Sequence, residues 1–103
     1  MLFRSSQLLT VYYDTADALL WRNGVSLRLR RSGRRWTQTV KGAGTQVGGL
    51  HSREEFEWPV AGGAVDFSLL SGTPFAKLFS RPRVLHGLAP VFETDFQIGR
   101  AHV

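Results

Sequence analysis

Three segments of the sequence alternate between two kinds of side chain with a period of two residues, which is the spacing of a β-strand. They cover residues 25–31, 35–41 and 52–60. Ser32-Gly33 separates the first two segments, and a short turn between alternating segments predicts a β-hairpin. We therefore expect at least three antiparallel strands, the first two of them adjacent.

Alternation places the charged side chains of all three segments on one face of the predicted sheet. The members of that face are Arg28, Arg30, Arg35, Lys41, Arg53, Glu55 and Glu57. The opposite face is mostly apolar, although Gln38 and Glu54 also belong to it.

The pattern alone leaves two interpretations of the charged face open. Antiparallel sheets often bury one face and leave the polar face in water. Alternatively, arginine forks bind phosphate oxygens in pairs, lysine adds a compact positive charge, and neighbouring carboxylates hold Mg²⁺ or Mn²⁺. The second interpretation predicts a site for a polyphosphate together with a metal ion.

The rest of the chain predicts an α+β fold. Residues 8–13 are typical of a strand, and a turn capped by Asp14 ends that strand. Residues 16–21 are typical of a short helical turn. Residues 42–49 predict a glycine-rich loop, residues 67–88 short helices, and residues 90–96 the start of another strand. The aromatic side chains of the strands are expected in the core: Tyr12, Tyr13, Trp36, Phe56, Trp58, Phe92 and Phe96.

Composition narrows the class of protein. A chain of 103 residues suits one small domain, and the absence of cysteine excludes disulfides and thiolate metal sites. No apolar run approaches the roughly 18 residues of a membrane span, and no signal peptide begins the sequence, so a cytoplasmic protein is expected. The net charge of +5 favours an anionic partner.

Four motifs, in this order, resemble the CYTH superfamily, whose members are also called triphosphate tunnel metalloenzymes. The motifs are Tyr12-Tyr13-Asp14-Thr15, Leu27-Arg28-Leu29-Arg30, Thr37-Gln38-Thr39-Val40-Lys41 and Gly49-Leu50-His51-Ser52-Arg53-Glu54-Glu55-Phe56-Glu57. Phe92-Glu93-Thr94-Asp95-Phe96 is similar to a later strand of the family. The likeness covers residues 8–97 and is greatest to the bacterial inorganic triphosphatases.

The resemblance implies an antiparallel β tunnel in which basic side chains hold a triphosphate and acidic ones hold Mg²⁺ or Mn²⁺. By this comparison Arg28, Arg30, Lys41 and Arg53 would bind phosphate, and Glu55 and Glu57 would bind metal. The expected activity is hydrolysis of inorganic triphosphate or another triphosphate. Alternatives are a non-catalytic polyphosphate- or RNA-binding module and a class IV-type adenylate cyclase on the same fold. Nucleic acid is the less expected partner.

The sequence also departs from the family pattern. The family's Glu-x-Glu-x-Lys strand is not present before residue 8, and Ile98 stands where the family has an arginine. Residues 98–103 match the translation of ATCGGAAGAGCACACGTC, a sequencing adapter. We therefore expect residues 1–97 to be a partial CYTH domain, residues 98–103 to be an artefact, and the chain by itself to be inactive.

Overall fold

An antiparallel sheet organises the part of the chain that the computed structural model describes, which is residues 6–42, 45–47, 50–52 and 54–98. In chain order the elements are β1 (Ser6–Asp14), α1 (Leu19–Arg22), β2 (Val25–Ser32), β3 (Arg35–Gly42), β4 (Thr45–Val47), β5 (Leu50–Ser52), β6 (Glu55–Val60), α2 (Phe67–Leu70), α3 (Ala76–Phe79), α4 (Pro82–Gly87) and β7 (Ala89–Ile98). Five strands form the main sheet in the order β6-β3-β2-β1-β7, and β4 pairs with β5 separately. The predicted α+β class is confirmed, with an open sheet over the described residues.

The hairpin of β2 and β3 fixes the centre of the sheet. Ser32 pairs with Arg35, so two residues connect the strands. The first of these, Gly33, has φ 65°. A glycine with positive φ at the first central position matches a turn whose twist suits a tight hairpin. The register that follows sets Arg28 opposite Thr39 and Arg30 opposite Thr37.

The short helices cover one face of the sheet and form the core with it. Apolar side chains of β2 and β3 point to that face, and α1, α2, α3 and α4 supply the rest. The buried cluster consists of Leu19, Leu20, Val25, Leu27, Val40, Leu70, Leu78, Phe79 and Val84. Because this face is used for the core, the charged face of the same strands lies on the other side of the sheet.

The polar exception on the apolar face is satisfied by a backbone segment. Gln38 is fully buried, with 0% of its surface exposed. Its side-chain amide donates to the carbonyl of Asp66 at 3.0 Å, and its side-chain oxygen accepts from the Asp66 N–H at 2.7 Å. Asp66 also caps α2, because its carboxylate accepts from the Ser68 N–H. Gln38 therefore joins the sheet to the start of the helical region.

Asp14 ends β1 and organises the first helix. Its carboxylate accepts hydrogen bonds from the backbone N–H groups of Thr15, Leu20 and Trp21. These interactions confirm its interpretation as a structural cap. The helix begins at Leu19, later than predicted, because Ala18 just before it adopts a left-handed conformation with φ 58°.

Two strand predictions were wrong in detail. The predicted strand over residues 52–60 is divided, because β5 ends at Ser52 and β6 begins at Glu55. Thr45–Val47, inside the predicted glycine-rich loop, is a strand that pairs with β5. The ladder thus changes partner between β5, which pairs with β4, and β6, which pairs with β3.

The prediction that all strand aromatics lie in the core was wrong for Phe92 and Phe96. These side chains are 60% and 61% exposed. They lie on β7, an edge strand of the main sheet, on the face opposite the helices. Among the described aromatic rings, Tyr12 is the one that lies close to either of them, with 6.0 Å between its ring centroid and that of Phe92.

Among the described residues, no helix combines the length and apolar character needed to cross a membrane.

Candidate phosphate-binding face

Register and alternation bring five of the six predicted site residues onto the side of the sheet opposite the helices. We call this surface the basic face and define it by Arg28, Arg30, Lys41, Glu55 and Glu57. Arg28 and Arg30 lie on the central strand β2, Lys41 on β3 and the two glutamates on β6. The sixth predicted residue, Arg53, lies outside the described residues.

Two cross-strand rows carry the arginines. In the first row the residues from β7 to β6 are Phe92, Tyr12, Arg28, Thr39 and Glu57. In the second row they are Thr94, Thr10, Arg30, Thr37 and Pro59. Neighbouring strands lie about 4.8 Å apart and alternate residues of a strand about 7 Å apart, so the two guanidinium groups share one region of the face.

Arg30 is held by a neighbouring strand. Its Nε donates a hydrogen bond to Oγ1 of Thr10 at 3.0 Å. Thr10 is buried, with 2% of its surface exposed, and lies directly opposite Arg30 in the β1–β2 register. This bond uses one edge of the guanidinium group and leaves its terminal nitrogens as the remaining donors.

Arg28 lacks the corresponding bond. Its Nε is buried and has no hydrogen-bond partner among the described residues. Its cross-strand neighbours on the basic face are Tyr12 and Thr39. An N–H group that is removed from water and left unpaired costs about 1–3 kcal/mol. An anionic oxygen that reached this edge of Arg28 would relieve that cost.

Lys41 and Glu55 form an ion pair at the edge of the face. Lys41 Nζ lies 3.4 Å from Oε1 of Glu55, and the two side chains are 36% and 46% exposed. Exposed pairs of this kind contribute about 0–1 kcal/mol because water screens them. The pair is therefore weak enough for Lys41 to exchange its carboxylate for a more highly charged anion.

The two glutamates do not form a metal site by themselves. Glu55 and Glu57 are alternate residues of β6, and no group of three or more His, Cys, Asp or Glu residues comes together within the described ranges. Mg²⁺ takes about six oxygen ligands, several of which are often water. The carboxylates suit a hard cation in kind, but a complete site would need further ligands.

Thr10 also belongs to this region, although it was not among the residues predicted for the site. Leu8, Thr10 and Tyr12 are alternate residues of the first strand, so the alternation rule would have placed them on one face. The register between β1 and β2, which sets Thr10 opposite Arg30, could not be predicted from the alternation.

The sequence of the chain matches the profile of a known domain family over most of its length. A profile of the CYTH domain matches residues 3–98. The chain therefore belongs to the CYTH domain family.

Two individual proteins are also similar to this chain, one in sequence and one in structure. The inorganic triphosphatase of Haemophilus influenzae is 36% identical over 87 residues, which are 82% of this chain and 23% of that protein. A solved structure of a putative adenylyl cyclase from Hippeastrum, described as having a dominant triphosphatase activity, has a TM-score of 0.56 at 16% identity. That match covers 95% of this chain and 55% of the other. The chain thus spans about a quarter of the curated relative and about half of the solved structure.

Proposed function

We propose that this chain contributes the phosphate-binding strands of an enzyme that hydrolyses inorganic triphosphate or a related triphosphate. The observation that carries the proposal is the group of cations on the basic face, Arg28, Arg30 and Lys41, which neighbouring strands bring to one side of the sheet. The Haemophilus relative, named an inorganic triphosphatase, supports the choice of substrate.

The three cations differ in how they would act on a triphosphate. Arginine offers a planar fork that donates two parallel hydrogen bonds to a phosphate group, whereas lysine offers a compact charge. In the proposed complex Arg28 and Arg30 orient adjacent phosphate groups from the centre of the sheet. Lys41 neutralises charge near the edge, where it leaves Glu55. Arg53 is proposed as a further phosphate ligand.

Hydrolysis also needs stabilisation of the charge that develops on the leaving phosphate and a positioned water molecule. Divalent metal ions commonly provide both. We propose that the complete protein depends on Mg²⁺ or Mn²⁺, with Glu55 and Glu57 among the acidic residues that hold the ion. Other parts of that protein would supply the remaining ligands, because the described residues offer too few.

A second candidate is an RNA-binding module without catalytic activity. The exposed rings of Phe92 and Phe96 lie on the same side of the sheet as Arg28 and Arg30. Aromatic rings beside cations are a common platform for single-stranded RNA, because bases stack on the rings while the cations contact the backbone. Such binding would be strongly salt-dependent and would show no preference for a short triphosphate.

The test uses the full-length protein that contains this chain, incubated with inorganic triphosphate and Mg²⁺ or Mn²⁺. We expect release of phosphate, and we expect Arg28→Ala and Lys41→Ala to abolish it. Parallel reactions with ATP, assayed for phosphate and for cyclic AMP, separate hydrolase from cyclase activity. Full phosphate release by both variants would overturn the proposal.

A binding comparison addresses the second candidate. Triphosphate and a single-stranded RNA are titrated at several salt concentrations. Tight RNA binding with a steep salt dependence, and no measurable triphosphate binding, would favour the RNA-binding module instead.

A further inference from the structure

The two arginines of the basic face have the same chemistry but different surroundings. Arg30 donates its Nε–H to Thr10, whereas the Nε–H of Arg28 is buried without a partner in the described part of the chain. We propose that Thr10 is a positioning residue that holds Arg30 in a fixed orientation, while Arg28 reorients when an anion binds. This inference rests on the proposed phosphate-binding function, and it assigns different roles to Arg28 and Arg30 within that function.

The geometry of the guanidinium group explains why Thr10 matters. The group has five N–H donors in a rigid plane, and it can offer an anion either its Nε edge or its two terminal nitrogens. With the Nε–H of Arg30 bound to Oγ1 of Thr10 at 3.0 Å, the Nε edge is occupied. Arg30 is therefore left to bind phosphate with its terminal nitrogens.

The position of Thr10 makes this restraint effective. Thr10 is almost completely buried in β1, between β2 and β7. Threonine is branched at Cβ, so few rotamers are available to it. A buried hydroxyl on a stiff side chain is a fixed acceptor, and it orders a long side chain before the ligand arrives.

Arg28 has the opposite character. Its present orientation leaves a buried N–H unsatisfied, which is unfavourable. A rotation that exposes Nε to an anionic oxygen removes this penalty and adds a charge-assisted hydrogen bond. Reorientation and binding therefore favour each other, and Arg28 is expected to bind with its Nε edge.

The first measurement follows the two Nε–H groups directly. In ¹H–¹⁵N spectra of this chain without ligand, we expect the Arg30 Nε–H to exchange more slowly with water than the Nε–H of a surface arginine such as Arg34. On addition of inorganic triphosphate, the Arg28 Nε–H signal should shift strongly and the Arg30 Nε–H signal only slightly. Equal shifts for both signals would overturn the assignment of separate parts.

The second measurement uses three matched variants. Thr10→Val keeps the shape of the side chain but removes the hydroxyl, and Thr10→Ser keeps the hydroxyl. Ordering a long side chain on binding costs about 0.5–1.5 kcal/mol, which corresponds to a 2- to 10-fold change in affinity. We expect Thr10→Val to raise the dissociation constant for triphosphate by about that factor and to speed exchange of the Arg30 Nε–H. For Thr10→Ser, the dissociation constant and the exchange rate should both stay close to those of the unaltered chain.

Thr94→Val is the control for a general disturbance of the sheet next to Thr10. Thr94 pairs with Thr10 from the β7 side, two strands away from Arg30. The Thr94→Val variant should leave both the affinity for triphosphate and the exchange rate of the Arg30 Nε–H unchanged. If the unaltered chain binds no triphosphate, the proposed function fails. If it binds and Thr10→Val binds equally well, only the role of Thr10 fails.

Discussion

The side-chain amide of Gln38 and the backbone of Asp66 form a reciprocal pair of hydrogen bonds, at 3.0 Å and 2.7 Å, across 28 residues of sequence. The pair joins β3, the strand that carries Lys41, to the cap of α2. It also accounts for a polar residue in the centre of the apolar face, because both polar groups of the amide are satisfied.

The first prediction is that Gln38→Leu destabilises the fold although leucine suits an apolar environment. Leucine of similar size fills the space but leaves the N–H and C=O of Asp66 without their partners. A buried unsatisfied group costs about 1–3 kcal/mol, so we expect a loss of about 2–4 kcal/mol in the free energy of unfolding. Urea unfolding followed by tryptophan fluorescence measures it.

Gln7→Leu provides the matched control for that experiment. Gln7 also donates to a partner, the carboxylate of Asp95, but this contact is exposed. Water can replace it, so the change should stay within about 0.5 kcal/mol. Equal losses for the two variants would show that the burial of the Gln38 pair is not what stabilises this region.

The placement of Arg28, Arg30 and Lys41 together could be predicted from the sequence because it needs only local rules. Alternation decides which side of a strand a residue occupies. A tight turn at Gly33 decides that β2 and β3 are neighbours. Both rules act within a few residues, and the structure follows them in the register that sets Ser26 opposite Lys41 and Arg28 opposite Thr39.

The features that were not predicted depend on which strands pair. The alternating pattern over residues 52–60 does not show that β5 pairs with β4 while β6 pairs with β3. In the same way, the hydrophobic character of Phe92 and Phe96 does not show that β7 is an edge strand of the described sheet. Thr10 belongs to this group, because its contact with Arg30 depends on the register of β1 against β2.

The second prediction concerns the ion pair of Lys41 and Glu55. In metal-free buffer Glu55 competes with a bound anion for Lys41, since the two charged groups lie 3.4 Å apart. Glu55→Gln should therefore strengthen triphosphate binding to this chain. The contribution of an exposed pair, about 0.2–1 kcal/mol, sets the expected change at up to about 5-fold. Isothermal titration calorimetry measures it.

Mg²⁺ should reverse the sign of this effect if Glu55 is also a metal ligand. The same variant would then bind triphosphate more weakly than the unaltered chain. Glu54→Gln is the control, because Glu54 is exposed and precedes β6. An affinity that is independent of Glu55 in both buffers would argue against any part for this carboxylate in the site.

The third prediction concerns the acid stability of the contact between Asp17, in the turn before α1, and Arg83 of α4. The pKa of Asp17 is lowered by a hydrogen bond from the Thr15 hydroxyl and, to a smaller extent, by Arg83 and Arg22. A group with a lowered pKa in the folded state stabilises the fold above its unfolded pKa, near 3.8, and loses that contribution as pH falls through the folded pKa. Stability should therefore fall below about pH 4.

Asp17→Asn tests this dependence without changing the size of the side chain. The amide does not titrate, so the variant should be less stable at neutral pH and should show a flatter pH dependence below about pH 4. Urea unfolding at a series of pH values gives both quantities. A slope identical to that of the unaltered chain would assign the acid sensitivity to other carboxyl groups.

The last prediction is that this chain alone binds triphosphate without hydrolysing it. The basic face belongs to an open sheet with β6 and β7 at its edges, so an anion bound there has water on one side. The described residues bring together fewer than three potential metal ligands, which leaves a divalent ion weakly held. Without a fixed metal ion and an enclosed site, the charge of the leaving phosphate is not stabilised. We therefore expect the chain to bind triphosphate and Arg28→Ala to abolish this binding. In the presence of Mg²⁺ or Mn²⁺, phosphate release should be no faster than in the same buffer without protein. Metal-dependent turnover by the unaltered chain that disappears in Arg28→Ala would contradict this, and would mean that these strands are sufficient for catalysis.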